Sequence, residues 1–206
     1  ERLGAEQGRV EGTGLRLGEA QREIHRLGRI FFDAAAQLAS SLPDLHIVVP
    51  AANAACRGAI DAEAPAGLAN LHVLDGQAQQ AMIASDAVLL ASGTAALEAM
   101  LCKRPMVVGY RLSGLTHAIV RTFGLLKVEH VSLPNVLAGE PLVPELLQDD
   151  CTPERIAGAL LPLLGTPEPG LLLQARFRDL HLMLRRGASE RAAKAQGMER
   201  RDFLRT

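Results

Sequence analysis

Apolar residues along the chain recur first at helical spacing and then in short continuous runs. Between Glu19 and Ser40 they follow the period of an amphipathic helix with one buried face, at Ile24, Leu27, Ile30, Phe31, Ala34, Ala35 and Leu38. Downstream, runs without polar alternation predict buried strands at 45–49, 71–74, 87–91 and 106–109, with helical segments between them. Such strands occur in parallel sheets covered by helices. The pattern therefore predicts an α/β fold with a Rossmann-like, doubly wound parallel sheet.

The last third of the chain is predicted to be mostly helical. HVSLPN at 130–135 predicts a fifth, shorter strand. Three helices are predicted after it, at 143–150, 152–165 and 170–186. The middle one opens on Thr152-Pro153-Glu154, a helix start signal.

Composition excludes several classes of protein. The chain has 206 residues, 48% hydrophobic residues, 3% aromatic residues and a net charge of −1, which excludes a general nucleic-acid binder. Its three cysteines are scattered without metal or disulfide spacing, so we expect a reducing, cytoplasmic setting and no metal or cofactor. The six histidines are dispersed, with His46 and His72 expected in core strands.

One junction in the sequence carries candidate chemistry. The apolar run ending at Ala91 is followed at once by Ser92-Gly93-Thr94 and a helical segment with one carboxylate, Glu98. Ligands bind at the carboxyl ends of parallel strands, and the N–H groups of a helix N-terminus favour phosphate. Glu98 lies about one helical turn beyond Thr94, where a carboxylate can accept hydrogen bonds from two ribose hydroxyls. The spacing alone leaves two interpretations open, a nucleotide site or a helix cap with Glu98 on a solvated face.

Longer stretches around this junction resemble one family. SDAVLLASGTAALEAMLCKRPMVVGYR, followed by VSLPNVLAGEPLVPELLQDDCTPERIAGALLPLL, is similar to the lipid-A-disaccharide synthases of Gram-negative bacteria. ASGTAALE occurs in looser form in many nucleotide-sugar glycosyltransferases, whereas VSLPNVLAG with PELLQ is far more specific. The resemblance covers roughly residues 20–190. It implies the C-terminal, donor-binding half of a two-domain glycosyltransferase B fold.

The resemblance also implies a reaction and a set of site residues. The family transfers 2,3-diacylglucosamine from UDP-2,3-diacylglucosamine to 2,3-diacylglucosamine 1-phosphate and releases UDP. The implied donor-site residues are Ser92, Gly93 and Thr94 at the diphosphate, Glu98 at the ribose, and Tyr110, Arg111, Asn135 and Gln148 around them. Arg111 is expected to offset phosphate charge and Asn135 to hydrogen-bond the donor. Glu145 and Gln148 stand in a matched motif without an assigned role.

The beginning of the chain departs from the family pattern. The family opens this domain with an apolar strand and a Gly-Ser-Arg turn, whose arginine meets the donor phosphates. The match here is Gly14-Leu15-Arg16, which implies that role for Arg16, but Leu15 replaces the serine and no buried strand precedes it. The predicted organisation is an irregular segment at 1–18, a nucleotide-sugar-binding Rossmann-like domain at 19–165, and C-terminal helices with a basic tail at 166–206.

The N-terminal half of the family has no match in this chain. That half holds the acceptor site and the carboxylate taken as general base, so the catalytic base is expected outside these residues. A lone donor domain cannot place both substrates together. We therefore expect the isolated chain to bind donor weakly or not at all and not to turn over.

Alternatives remain open at this point. The chain could be another UDP-sugar-binding glycosyltransferase or epimerase domain, or an inactive truncated domain. Residues 185–206 hold seven Arg or Lys against three acids and follow the apolar stretch 171–184. This tail is either a solvated helix or a surface attracted to anionic lipid, and acylated substrates favour peripheral contact with the cytoplasmic face of the inner membrane.

Overall fold

The chain divides into two compact units, with the boundary after Ala78. The computed structural model describes residues 13–91, 93–111 and 130–195. Each unit has helices and its own parallel sheet, one of two strands and one of three. The fold is therefore of the α/β class with parallel strands, as the sequence predicts, with the strands in two sheets.

The first unit packs two helices against the two-stranded sheet. Its elements are α1 (Thr13–Ser41), β1 (Ile47–Ala51), α2 (Ala54–Glu63) and β2 (Leu71–Asp75). Asn53 caps α2, since its side-chain oxygen accepts a hydrogen bond from the Cys56 N–H at 2.9 Å. Phe32, Ala51 and Ile60 are buried together and form the centre of this unit's core.

The first helix starts earlier than predicted. Residues 13–18, predicted to be irregular, belong to α1, whereas residues 1–12 lie outside the described residues. Gly14 and Gly18 each cost about 1 kcal/mol relative to alanine inside a helix. Glycine keeps its N–H, however, so the hydrogen-bond ladder continues through both positions.

A histidine pair lies on the exposed side of β1 and β2. Nδ1 of His46 and Nε2 of His72 are 3.0 Å apart, and the two ring planes differ by 18°. Val48, which pairs with His72, is 40% exposed on the same side. His72 lies in β2 and His46 directly before β1, but the expectation of core strands does not extend to burial. Both side chains are exposed, because alternate residues of a strand point to opposite faces of the sheet.

The second unit surrounds a three-stranded parallel sheet with helices. Its strands are β3 (Val88–Leu90), β4 (Met106–Tyr110) and β5 (Glu145–Leu147), in the order β3-β4-β5. Its helices are α3 (Ala78–Ala84), α4 (Gly93–Leu101), α5 (Leu133–Ala138), α6 (Pro153–Gly165) and α7 (Pro167–Ala195).

Both faces of the middle strand β4 are buried. Met106 and Val108 share a core cluster with Met100 of α4 and Phe177 of α7. Val107 points to the opposite face and is equally buried, and α6 also contacts this strand. Coverage on both faces agrees with the predicted doubly wound arrangement, and Phe177 ties the C-terminal helix to the same core.

Two predicted elements exchange their type in the structure. The predicted strand at 130–135 gives way to helix α5, and the predicted helix at 143–150 is β5 followed by a 3₁₀ turn at Gln148–Asp150. Pro134 sits in the first turn of α5, where a helix needs no N–H, and Gly139 ends the helix at φ 67°. The apolar pair Leu146-Leu147 is too short for periodicity to separate strand from helix.

The predicted helix at 152–165 is confirmed as α6. The side-chain oxygen of Thr152 accepts a hydrogen bond from the Arg155 N–H at 3.4 Å, which caps its first turn. Within the part of the chain that the structure describes, no single helix is both long and apolar enough to cross a membrane. α6 and Pro167–Arg186 reach that length and apolarity only together, with a bend of 92° between them.

Candidate functional site

Parallel pairing in the second unit brings three strand ends to one edge of the sheet. Leu90 pairs with Val108, and Val108 pairs with Glu145, so these residues form one row across β3, β4 and β5. The residues that follow this row by three positions are Gly93, Arg111 and Gln148. Because neighbouring strands lie about 4.8 Å apart, the structure brings these three chain segments together at the carboxyl edge.

The N-terminus of α4 opens at this edge. Gly93 is the first residue of the helix, whereas Ser92 lies outside the described residues. Thr94 and Glu98 are exposed and one helical turn apart, opposite the buried side formed by Ala96, Ala99 and Met100. Within the described part of the chain, no hydrogen bond or ion pair engages the Glu98 carboxylate. Thr94 and the Glu98 carboxylate are therefore both exposed to solvent on one side of α4.

Arg111 lies at the end of β4 and is bound to backbone oxygens. Its Nε donates to the Gln148 carbonyl at 3.0 Å, and one terminal nitrogen donates to the Cys151 carbonyl at 2.9 Å. Tyr110, directly before it, is half-buried and pairs with Leu147. The guanidinium thus holds the turn after β5, an arrangement that the sequence did not reveal.

Gln148 combines an unusual backbone with an available side chain. Its φ is 52°, in the left-handed region that residues with a side chain rarely adopt. The side chain is half-buried, and among the described residues its amide has no hydrogen-bond partner. Gln148 therefore remains a candidate ligand contact at the edge.

Asn135 lies inside the unit and not on its surface. It is 1% exposed, and its amide nitrogen donates to the Val143 carbonyl and to Glu145, each at 2.9 Å. Its oxygen accepts from the Val143 N–H at 2.8 Å. All three bonds are made within the protein, so the structure shows Asn135 as part of the support for β5.

Glu145 is a residue whose role the sequence did not assign. Its carboxylate accepts hydrogen bonds from the Val131 and Ser132 N–H groups at 3.0 and 2.7 Å. With the bond from Asn135, it attaches the residues just before α5, and α5 itself, to β5. No local spacing rule predicts this contact, because the carboxylate lies more than ten residues beyond the helix start.

Cys151 is enclosed next to this segment. It is fully buried, and burial raises the pKa of its thiol, against a smaller opposing effect of the Arg111 charge and hydrogen bond. Cys56 is also buried, and Cys102 is partly exposed. Within the described ranges, no group of three His, Cys, Asp or Glu side chains is placed to hold a metal ion.

Arg16 and the carboxyl edge belong to different units. Arg16 belongs to α1 in the first unit, whereas the edge is formed by the second. Its role at donor phosphates stays a prediction.

The second unit has parallel strands covered by helices, with a helix N-terminus and polar side chains at the carboxyl edge. This is the arrangement of α/β domains, a class whose ligands generally bind at the strand ends. The sequence matches the family described as lipid-A-disaccharide synthetase over residues 13–196. The chain belongs to the lipid-A-disaccharide synthase family.

Curated relatives with that name match most of the chain. A lipid-A-disaccharide synthase of Xanthomonas campestris pv. campestris is 54% identical over 181 residues, which are 86% of this chain and 41% of the relative. Relatives of the same name from Xanthomonas axonopodis pv. citri and Xylella fastidiosa are 50% and 49% identical, over 90% and 86% of this chain. The chain spans 45% and 47% of their lengths, so it corresponds to less than half of each relative.

Proposed function

We propose that this chain is the donor-binding part of a lipid-A-disaccharide synthase and binds UDP-2,3-diacylglucosamine through its UDP portion. The observation that carries the proposal is the start of α4 at the carboxyl edge, with Thr94 and Glu98 exposed one helical turn apart. Family membership supplies the substrate class, and the edge supplies groups that suit a nucleoside diphosphate.

Each part of the edge has a proposed task. Backbone N–H groups of the first turn of α4, with the hydroxyls of Ser92 and Thr94, bind the diphosphate. The Glu98 carboxylate accepts hydrogen bonds from the ribose hydroxyls. Because negative charge grows on UDP as the bond to the sugar breaks, the same N–H groups stabilise the departing UDP more strongly in the transition state than in the ground state.

Acceptor binding and activation are not assigned to this chain. We propose that the acceptor, 2,3-diacylglucosamine 1-phosphate, and the base that deprotonates its 6-hydroxyl belong to the part of the relatives that this chain does not match. Direct attack on the anomeric carbon inverts its configuration without a covalent enzyme intermediate. The chain's own contribution is therefore donor binding and stabilisation of the leaving group.

Calorimetric titration of the 206-residue chain with UDP and with uridine tests the proposal. UDP should bind about tenfold or more tightly than uridine, since the helix N-terminus adds its contribution only when phosphates are present. Inorganic pyrophosphate should compete with UDP. The titration also decides between the weak binding and the lack of binding that the sequence leaves open for the isolated chain. Equal affinity for UDP and uridine, or no binding of either at millimolar concentration, would contradict a diphosphate site at this edge.

We also propose peripheral contact with an anionic membrane through α7, on the cytoplasmic face of the inner membrane. Four large apolar side chains of this helix are exposed, namely Leu171, Leu172, Leu182 and Met183. Arg178 and Arg186 are exposed on the same helix, and the acylated substrates proposed above reside in membranes. Apolar and basic side chains on one helix surface favour binding at a lipid interface.

Sedimentation with vesicles tests this contact. The chain should sediment with vesicles rich in anionic lipid at low salt and less in 0.5 M salt, a condition of about 4 Å Debye length. The double variant Leu171→Ser, Leu172→Ser should lose binding. The matched control Ile83→Ser, at an apolar residue of α3 that is 50% exposed, should not. Binding that is insensitive to both salt and the α7 variant would argue against this surface.

A further inference from the structure

The turn after β5 is held from two sides by side-chain hydrogen bonds. On one side, Arg111 donates to the carbonyls of Gln148 and Cys151 at 3.0 and 2.9 Å. The Cys151 N–H closes the same turn by donating to the Gln148 carbonyl at 3.1 Å. The Gln148 carbonyl therefore accepts two hydrogen bonds, and one of them depends on a side chain from the neighbouring strand.

The other side of the turn is fixed through β5 itself. Glu145, three residues before Gln148, is bound by the N–H groups of Val131 and Ser132 and by Asn135. Both ends of the segment 145–151 are thus attached to elements outside it.

The attachments meet at a residue in a costly conformation. Gln148 has φ 52°, and a residue with a side chain keeps such a backbone only where its surroundings impose it. Its half-buried side-chain amide has no hydrogen-bond partner among the described residues. Gln148 follows the row Leu90–Val108–Glu145 by three positions, as Gly93 does. Fixing the backbone of Gln148 therefore fixes the point at the carboxyl edge from which this side chain extends, two strands across the sheet from the strand that leads into α4.

We infer that Arg111 is a positioning residue, which acts on the donor by holding Gln148 and not as the phosphate ligand that its place at a strand end suggests. The inference rests on the proposed function for the identity of the ligand that Gln148 meets. The planar guanidinium matches two carbonyl oxygens at once, which the single nitrogen of lysine does not. Lysine at this position keeps the charge but should lose the function.

Amide hydrogen exchange on the ligand-free chain tests the first part. In Arg111→Gln and Arg111→Lys, the Cys151 and Thr152 amides should exchange at least about tenfold faster, since the turn is no longer held. Arg155→Gln is the matched control, because Arg155 reaches this turn through the Asp150 carboxylate and touches no carbonyl of it. Unchanged exchange in both Arg111 variants would overturn the inference.

A double-mutant cycle tests the second part, with affinities for UDP and UDP-glucosamine as the readout. Gln148→Gly removes the amide without strain, and Arg111→Gln combined with Gln148→Gly should bind no worse than Gln148→Gly alone. Asn70→Gly is the control, a glycine at another left-handed position, φ 55°, in the first unit. It should leave both affinities unchanged.

The outcomes separate the inference from the function on which it rests. Additive losses would show Arg111 at the ligand, and a Gln148→Gly variant with unchanged affinity for both probes would show that the held residue does not meet the donor. Either result overturns the inference while donor binding stands. Failure of the unaltered chain to bind either probe would instead refute the proposed function, and the exchange result would then describe a purely structural bond.

Discussion

The amide nitrogen of Asn135 and the carboxylate of Glu145 are 2.9 Å apart and joined by a hydrogen bond in the interior of the second unit. This bond links helix α5 to strand β5. The same carboxylate accepts two backbone N–H groups at the start of α5, so one side chain closes a helix end and fixes a strand.

Glu145→Gln should destabilise the chain by about 1–3 kcal/mol, because an amide cannot accept three N–H bonds as a carboxylate does. Urea unfolding followed by circular dichroism measures the change. Glu140→Gln is the matched control: Glu140 pairs with Arg176 on the surface, and that loss should stay below about 1 kcal/mol. Equal losses in the two variants would mean that the Glu145 bonds contribute no more than a surface ion pair.

Asn135→Ala should cost about 2–4 kcal/mol, since it leaves the Val143 N–H and carbonyl unpaired in the interior. The same unfolding experiment measures it, with the slope against urea as a check that the transition remains two-state. A loss under about 1 kcal/mol would show that water replaces the missing amide.

Thr94→Val and Glu98→Gln should affect nucleotide binding in different ways. Loss of the Thr94 hydroxyl should weaken UDP by about tenfold and leave uridine unchanged, since only the diphosphate is proposed to meet it. Glu98→Gln should weaken UDP and uridine by the same factor, because both carry the ribose. Titrations with the two ligands separate these patterns, and a Glu98 variant that discriminates between them would disprove the ribose assignment.

Asn53→Ala should destabilise the chain by about 1 kcal/mol through loss of the cap on α2. Asn53→Gly should cost only about a few tenths of a kcal/mol, because glycine is itself tolerated at a cap. Thermal unfolding of the two variants side by side provides the comparison. A larger loss for glycine than for alanine would be inconsistent with a capping role.

Glu23→Gln should change stability in a pH-dependent way. Burial raises the pKa of Glu23 above its ordinary value of 4.5, with a smaller opposing effect of Arg26, so the folded state holds this proton more tightly than the unfolded state. The native chain therefore loses stability as pH rises from below 4.5 through the raised pKa. By linkage, the variant should have a higher Tm than the native chain at pH 7 and no higher Tm below about pH 4. Melting curves measured across this pH range test the prediction. A Tm difference that does not change with pH would contradict the raised pKa of Glu23.

Much of the fold follows from apolar periodicity. The strands at 71–75 and 106–110 were predicted to within one residue, and the long first helix was predicted except for its first six residues, because apolar runs and long periodic segments have one favourable arrangement. The helical type of α5 and the strand type of β5 were predicted wrongly for the opposite reason. Each segment is short, and what decides its type is a proline position and the bonds made by Glu145, which depend on tertiary contacts.

The candidate site likewise has a part that could be predicted from the sequence and a part that could not. The junction at Gly93, Thr94 and Glu98 was predicted to lie at a strand end, and the structure places it there, because a strand followed at once by a helix fixes its own geometry. The contacts of Arg111 and Asn135 could not be predicted, since their partners lie on strands and turns distant in sequence. Matching these residues to a family motif indicates that they matter without telling what they touch.

The shortness of β5 has a consequence for how chain length can vary. A strand of three residues has little pairing of its own to fix its register, and a slip by one residue would turn its side chains to the other face. The bonds of Glu145 and Arg111 at its two ends supply that register instead. A single inserted or deleted residue between Glu145 and Cys151 should therefore break one of these two attachments and should not be tolerated.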